Sequence, residues 1–249
     1  MINLEGKRIL VTGASSGIGR AIAQEAASLG ASLILLGRNS ERLEVAYNSL
    51  QGVGHKYYSV DITDYAKVEE IIRSSVANGG YINGFVHSAG IEKTTPFRVS
   101  TPTLFKEIFE VNVFAGFEIA RLLSKKKFVN PLGASHVFIS SVNARLGDSC
   151  KTMYCSSKSA LLAGVKAMAI ELATKKIRCN CVLPGYVETE MITKLFNSVP
   201  IEAKQKIINK HPLGIGQPED IAFLVCFLIS DKAKWITGSE YIIDGGYSA

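Results

Sequence analysis

The sequence has little cysteine and no Cys-x-x-Cys pair, so it lacks the usual spacing of a zinc or dithiol redox site. Its five cysteines are Cys150, Cys155, Cys179, Cys181 and Cys226. An odd number of cysteines without paired spacing is typical of free thiols in a reducing compartment. We therefore expect no disulfide framework and no metal site, and we expect the protein to be cytoplasmic.

Long hydrophobic runs are also missing. The longest are strand-sized, such as Leu33 to Leu36, and none approaches the roughly 18 residues of a membrane span. The first residues, MINLEGKRILVTG, lack the apolar core and the cleavage site of a secretory signal. With 47% hydrophobic and 20% charged residues, the composition is that of an ordinary globular protein. We expect no membrane association.

The formal net charge is +6, but the basic residues do not form the aromatic-interleaved patches that nucleic-acid binding uses. They are spread along the chain, and the densest group, Lys125 to Lys127, follows an apolar helical pattern, where it would favour a helix C-terminus. We expect no nucleic-acid partner. A mildly basic surface suits anionic small molecules or an acidic carrier protein.

Short apolar strands alternate with helical patterns along the whole chain. Strands are predicted over 7–11, 32–36, 56–60, 84–87, 136–140, 177–183 and 240–243. Helices are predicted over 17–29, 40–50, 65–77, 101–128 with a break near Asn112, 153–174 and 218–229. This alternation predicts an α/β fold, a single Rossmann-like domain over 1–249 whose doubly wound parallel sheet has helices on both faces.

The turn between the first strand and the first helix is rich in glycine. Glycines at such a turn let the backbone approach a pyrophosphate and aim its N–H groups at the anion. The GxxxGxG spacing differs from the commoner GxGxxG, and a plain tight turn is the alternative. In this context the turn predicts a dinucleotide site. Its expected contact residues are Gly13, Ser15, Ser16, Gly17, Ile18 and Gly19.

No acidic residue follows the second strand. A carboxylate there would bind the ribose 2′-OH of NAD, whereas an arginine accommodates the 2′-phosphate of NADP. The sequence has Arg38, whose planar guanidinium pairs well with phosphate. We therefore expect NADP(H) in preference to NAD(H), the alternative being a solvated arginine. Asp61 and Ile62, after the third strand, are expected at the adenine edge, although Asp61 could instead cap the next helix.

Tyr154 and Lys158 lie four residues apart at the start of a predicted helix, which puts both on one face. A free tyrosine has a pKa of about 10, and a nearby ammonium lowers it toward a working pH. Ser141 follows the preceding strand and is expected to meet Tyr154 over the nicotinamide. A Tyr-x-x-x-Lys pair alone is usually an ordinary surface pair, so its meaning here depends on the dinucleotide turn.

Together these motifs resemble those of the short-chain dehydrogenases/reductases, and within that family the 3-oxoacyl-[acyl-carrier-protein] reductase group. The resemblance covers essentially the whole length of the chain. The motifs that carry it are Thr12-Gly13-xxx-Gly17-x-Gly19, Asp61, Ala89-Gly90, Asn112, Ser141, Tyr154-xxx-Lys158, Pro184-Gly185 with Thr189, and Thr237-Gly238 with Asp244-Gly245-Gly246.

The resemblance implies four catalytic residues. Tyr154 would donate the proton to the carbonyl oxygen, and Ser141 would hydrogen-bond the same oxygen. Lys158 would bind the nicotinamide ribose and tune Tyr154, while Asn112 would hold a water that links Lys158 to solvent.

The resemblance also implies the remaining cofactor contacts and a lid. A substrate lid is expected around 187–211, with Met191, Leu195, Phe196 and Val199 as apolar candidates for substrate contact or for simple packing. Besides Tyr154 and Lys158, the nicotinamide side of the cofactor is expected to contact Ala89, Gly90, Pro184, Gly185, Val187 and Thr189.

The implied activity is NADP(H)-dependent interconversion of a carbonyl and a secondary alcohol, including reduction of 3-oxoacyl groups on a carrier protein. Another small ketone, a keto-sugar or a steroid-like substrate stays open, as does a catalytically silent cofactor-binding protein. Carrier-protein reductases have basic residues near the entrance. Lys175 fits one such place, but Leu132 stands where another is expected.

Two positions depart from the family pattern. His87-Ser88 replace the usual Asn-Asn, and Ser16 stands where some NADP enzymes have a basic residue. The helical patterns around 111–128 and 153–174 carry more small and apolar residues than one sheet face needs. Because family members commonly pair these helices, we expect a homotetramer with two-fold symmetry.

Overall fold

The computed structural model describes residues 1–198 and 200–249. In this part of the chain seven strands form one parallel sheet in the order β3-β2-β1-β4-β5-β6-β7. The strands are β1 (Arg8–Thr12), β2 (Ser32–Gly37), β3 (Lys56–Ser59), β4 (Gly84–His87), β5 (Ala134–Ile139), β6 (Ile177–Pro184) and β7 (Glu240–Ile243). The predicted parallel α/β sheet is confirmed, and the chain order reverses between β1 and β4.

Helices cover both faces of the sheet, as predicted. One buried cluster packs α1, α2 and α9 against the sheet, and a second packs α3, α5 and α6 against the other face. The helices are α1 (Gly17–Ser28), α2 (Ser40–Asn48), α3 (Tyr65–Gly79), α4 (Pro102–Phe109), α5 (Ala115–Leu123), α6 (Thr152–Leu172), α7 (Glu190–Ser198), α8 (Ile201–Asn209) and α9 (Pro218–Ile229).

Side-chain caps fix where several helices begin. Asn39 caps α2 by accepting from the N–H of Arg42, because an N-cap oxygen satisfies a donor that has no partner within the helix. Asp64, not Asp61, caps α3 by accepting from the N–H of Lys67. The alternative interpretation of Asp61 as a cap is therefore wrong, since its carboxylate accepts from Thr63 instead.

The long helical pattern over 101–128 divides in three. A π-helical segment, Glu110–Phe114, separates α4 from α5, so the predicted break near Asn112 is confirmed. Such segments often accompany functional sites. The helix also ends earlier than predicted, at Leu123, and beyond its end Lys125 and Lys127 form ion pairs with Glu69 of α3.

The segment predicted as a lid contains two short helices, α7 and α8, and Val199 lies outside the described residues. Across the described ranges, no helix combines the length and the hydropathy that crossing a bilayer requires. All five cysteines are free, with Cys179, Cys181 and Cys226 buried in the core.

Candidate active site

A cleft of about 450 Å³ opens at the carboxyl ends of the parallel strands. Parallel α/β sheets bind their ligands at this edge, where the strand order reverses. Every residue predicted to contact the cofactor lines the cleft, from Gly13 on the first turn to Thr189 before α7. Among the four predicted catalytic residues, Ser141, Tyr154 and Lys158 line it, whereas Asn112 lies behind Gly90.

The glycine turn packs so closely against neighbouring backbone that a side chain at Gly13 would not fit. Gly13 has a φ of +67°, and a Cβ there would lie 2.8 Å from the Cα of Ala89. Ser16, the N-cap of α1, makes no side-chain cap hydrogen bond, and the first turn of α1 holds no acid. The turn thus leaves donors at a helix N-terminus for an anion. These features fit the pyrophosphate of a dinucleotide.

Arg38 and Asp61 lie together at the other end of this turn. Arg38 forms no salt bridge with any residue in the described part of the chain. Hydrogen bonds from Thr63 lower the pKa of Asp61, burial opposes them, and the charge of Arg38 lowers it further. A fixed cation therefore faces the cleft where a 2′-phosphate is expected.

The structure brings Ser141, Tyr154 and Lys158 together at the opposite end. Ser141 follows β5 and lies close enough to Tyr154 to influence the pKa of the phenol, and its Oγ accepts from the N–H of Asn143 at 3.2 Å. Tyr154 and Lys158 lie one turn apart on α6, with Lys158 Nζ 5.7 Å from the ring centroid of Tyr154. The phenol of Tyr154 and the hydroxyl of Ser141 thus share one wall of the cleft, as predicted, while their catalytic roles stay predictions.

Burial raises the pKa of Tyr154 above its ordinary value, and the nearby carboxylate of Glu92 raises it further. The nearby hydroxyl of Ser141 and the charge of Lys151 lower the pKa of Tyr154 and so act in the opposite direction. The phenol is therefore protonated at neutral pH, as a general acid must be before it donates a proton. That Lys158 lowers this pKa stays a prediction.

Lys158 is buried beneath the cleft. Its Nζ donates to the backbone oxygen of Ile139 at 2.8 Å, and burial lowers its pKa to about 8. A Cβ at Gly90 would approach both Lys158 Nζ and Asn112 Oδ1, at 3.3 and 3.4 Å. The ammonium of Lys158 and the side-chain oxygen of Asn112 thus both lie next to Gly90.

Asn112 braces the strand end beside the cleft. Its side-chain oxygen accepts from the N–H of Ile91 at 2.8 Å, and its amide nitrogen donates to the oxygens of Ile91 and Ser157, each at 3.0 Å. Asn112 makes these contacts from within the π-helical segment Glu110–Phe114. Its role in a proton relay stays a prediction.

His87, which stands where the family pattern has asparagine, forms hydrogen bonds to two neighbouring elements. Its Nε2 donates to the backbone oxygen of Asn112 at 3.2 Å, and its Nδ1 accepts from the hydroxyl of Thr12 at 3.1 Å. Thr12 in turn accepts from the N–H of Ala89. Burial lowers the pKa of His87 to about 3, so the imidazole is neutral. It connects β1, β4 and the π-helical segment.

Sequence reasoning missed a buried ion cluster beside Tyr154. Lys151 Nζ lies 3.1 Å from Glu92 and 3.2 Å from Asp148, and only 8% of the Lys151 side chain is exposed. Burial opposes the charge of Lys151, but Glu92, Tyr186 and Asp148 outweigh it and raise its pKa. Its position three residues before Tyr154, at the N-cap of α6, could have indicated this lysine.

The lid contributes fewer apolar residues to the cleft than predicted. Met191 lines it, together with Ile192, which the prediction omitted. Within the described part of the chain, Leu195 and Phe196 are not among the lining residues, and the Phe196 ring lies 5.2 Å from Lys204 Nζ on α8. For Phe196 the packing interpretation fits best.

Comparisons with known proteins agree with this architecture. A family model described as enoyl-(acyl carrier protein) reductase matches residues 13–248. The chain is 35% identical over 247 residues to a 3-oxoacyl-[acyl-carrier-protein] reductase of Rickettsia conorii, covering 99% of this chain and 98% of that protein. It is 32% identical over 250 residues to an NADP-dependent (R)-specific alcohol dehydrogenase of Lentilactobacillus kefiri, covering 99% and 98%.

A solved structure shows the same fold over the whole chain. The crystal structure of a short-chain type dehydrogenase/reductase from Mycobacterium marinum superposes with a TM-score of 0.91. The two sequences are 32% identical, and the match covers 100% of this chain and 98% of the other.

Proposed function

The chain belongs to the short-chain dehydrogenase/reductase family, an oxidoreductase family, and we propose that it interconverts a carbonyl and a secondary alcohol with NADP(H). One observation carries the proposal. Ser141, Tyr154 and Lys158 share a wall of the cleft whose other end is the glycine turn. This arrangement supports proton transfer at one end and dinucleotide binding at the other.

The chain's own residues supply the polar part of the chemistry. When bound, the nicotinamide supplies or accepts the hydride. Ser141 hydrogen-bonds the carbonyl oxygen and orients it toward Tyr154. Tyr154 donates its proton to that oxygen during reduction and takes it back during oxidation. Lys158 holds the ribose and supplies positive charge beside the phenol.

The preference for NADP(H) is supported by charge. Arg38 is a cation without an ion-pair partner in the described residues, and no acid follows β2 to bind a ribose 2′-OH. Arginine recognises phosphate by paired, charge-assisted hydrogen bonds. The Lentilactobacillus kefiri relative is itself named as NADP-dependent.

For the substrate, the similarity to 3-oxoacyl-[acyl-carrier-protein] reductases supports a 3-oxoacyl thioester, free or on a carrier protein. Lys175, at one expected docking position, donates to the oxygen of Ser124 at 2.9 Å, and Leu132 is 86% exposed at the other. The kefiri relative makes a small ketone the second candidate. The free cysteines support the cytoplasmic location that belongs to this proposal.

A homotetramer is the corresponding proposal for assembly. Phe114, between α4 and α5, is 47% exposed, and Ile170 on α6 is 80% exposed. Large apolar side chains exposed on these two helical regions are suited to a two-fold interface. Light scattering at micromolar concentration should give four times 26.9 kDa, whereas a stable monomer would refute this assembly.

A substrate screen with NADPH and NADH in parallel tests the activity. Acetoacetyl thioesters, small ketones, keto-sugars, quinones and steroids form the panel, and consumption of the reduced cofactor is measured at 340 nm. We expect turnover with a ketone or thioester and faster turnover with NADPH. Cofactor binding without turnover on the whole panel would favour the silent cofactor-binding protein.

A further inference from the structure

An ion pair crosses the mouth of the cleft at its adenosine end. Arg42 Nη1, in the first turn of α2, lies 2.7 Å from Glu190 Oε2, the first residue of α7. Both residues line the cleft, as does Arg38 in the loop just before α2. The ion pair therefore ties the lid to the element that is expected to hold the 2′-phosphate.

A second contact places the start of α7 over the phosphate-binding turn. A Cβ at Gly17 would lie 3.1 Å from Cγ2 of Thr189, the residue before α7. The residue that precedes Glu190 is thus held against the glycine turn, while the carboxylate of Glu190 itself lies on Arg42. A phosphate held beside Arg38 and the carboxylate of Glu190 would therefore compete for one cation, Arg42.

The ion pair is easily exchanged. The side chains of Arg42 and Glu190 are 55% and 49% exposed, and exposed pairs contribute little to stability. Glu190 keeps a favourable position without Arg42, because an acidic residue at a helix N-terminus is stabilised by the helix dipole. A phosphate offers a guanidinium two strong, charge-assisted hydrogen bonds. The balance therefore favours phosphate when one is held near Arg38.

We propose that Arg42 exchanges its ion pair with Glu190 for the 2′-phosphate of NADP(H), and that this exchange releases the first turn of α7. The inference rests on the NADP(H) preference proposed above. NAD(H) has no 2′-phosphate and leaves the ion pair in place. The lid thus responds to which of the two cofactors occupies the cleft.

Two adenosine fragments isolate this effect from catalysis. Adenosine 2′,5′-bisphosphate and adenosine 5′-monophosphate differ only in the 2′-phosphate, and calorimetry measures the affinity of each for the full chain. The variants are Arg42→Gln, Glu190→Gln and the double variant. Glu188→Gln is the matched control, because Glu188 is a nearby glutamate that accepts from Gln217 at 2.8 Å and not from Arg42.

We expect Glu190→Gln to tighten binding of the bisphosphate about threefold to fivefold, the scale of an exposed ion pair. Arg42→Gln should weaken it, and the gain from Glu190→Gln should vanish in the double variant. Binding of the monophosphate should not change in any variant. Amide hydrogen exchange in the first turn of α7 should rise with the bisphosphate, and only where Arg42 is present.

Each contrary outcome has a distinct meaning. If Glu190→Gln gives the same gain with and without Arg42, Glu190 acts by direct repulsion, and the exchange is refuted. If Arg42→Gln leaves bisphosphate binding unchanged, or if Glu188→Gln matches Glu190→Gln, the inference fails while the NADP(H) preference stands. If the native protein binds both fragments equally, the NADP(H) preference fails as well. A fall in the melting temperature of the variants would identify misfolding. We do not expect such a fall, because the side chains of Arg42 and Glu190 are exposed.

Discussion

The half of the cleft that we propose holds the cofactor combines a glycine-rich backbone turn with Arg38 and Asp61, whereas the half proposed for the substrate is lined by a buried ion cluster and aromatic side chains. Gly13 and Gly17 bring backbone to the surface of the first half. Glu92, Lys151 and Tyr186 line the second. The comparison shows two ways to bind: preformed backbone donors suit an invariant pyrophosphate, whereas side-chain charges set the reactivity and the specificity of one substrate.

The strongest test of this division removes the hydroxyl of Tyr154. Tyr154→Phe should lower kcat on the order of a hundredfold or more, the scale of a positioned proton transfer. NADPH affinity, measured by fluorescence titration, should change little because the glycine turn lies at the other end of the cleft. A folded Tyr154→Phe protein with near-native turnover would place the chemistry elsewhere.

Lys158 should connect the two halves. Lys158→Ala should lower both turnover and NADPH affinity, each by about tenfold or more, because the ammonium is proposed to hold the ribose and to act on the phenol. Lys158→Met retains the buried volume and separates loss of charge from a cavity. If either variant loses turnover but binds NADPH normally, Lys158 belongs to the substrate half alone.

Arg38 should act on the cofactor half only. Arg38→Asp should reverse the preference from NADPH to NADH, with kcat/KM for NADPH falling on the order of tenfold to a hundredfold for the loss of a charged hydrogen bond. Arg20→Asp, an exposed position on α1, controls for net charge. Equal or better kcat/KM with NADH in the native protein would contradict the expectation.

The smallest effect is expected from the ion pair of the substrate half. In alcohol oxidation the rate rises with pH as Tyr154 ionises. Glu92 raises the pKa of Tyr154 and Lys151 lowers it, so Glu92→Gln should move this rise to lower pH and Lys151→Met should move it to higher pH. A purely structural ion pair would instead give parallel losses of stability and no opposite shifts.

The fold and most of the cofactor half follow from local sequence. The alternation of strands and helices, the glycine turn after β1 and the Tyr154–Lys158 spacing are each contained in a short stretch of chain. Backbone dihedral preference, hydrophobic periodicity and helix spacing act over the same distance. The predicted cofactor residues therefore reach the cleft in the structure, while their roles stay predictions.

Only the tertiary structure decided the contacts between distant elements. Glu92 meets Lys151, Arg42 meets Glu190, and Lys125 with Lys127 meets Glu69. The position of each pair depends on how right-handed crossovers and packed helices bring strand ends together. The spacing of residues along the chain does not tell which of these side chains meet. That depends on how the two buried clusters pack the helices against the sheet. The sequence by itself thus determined the sheet, the phosphate turn and the Tyr154–Lys158 pair, and packing decided the charges that surround them.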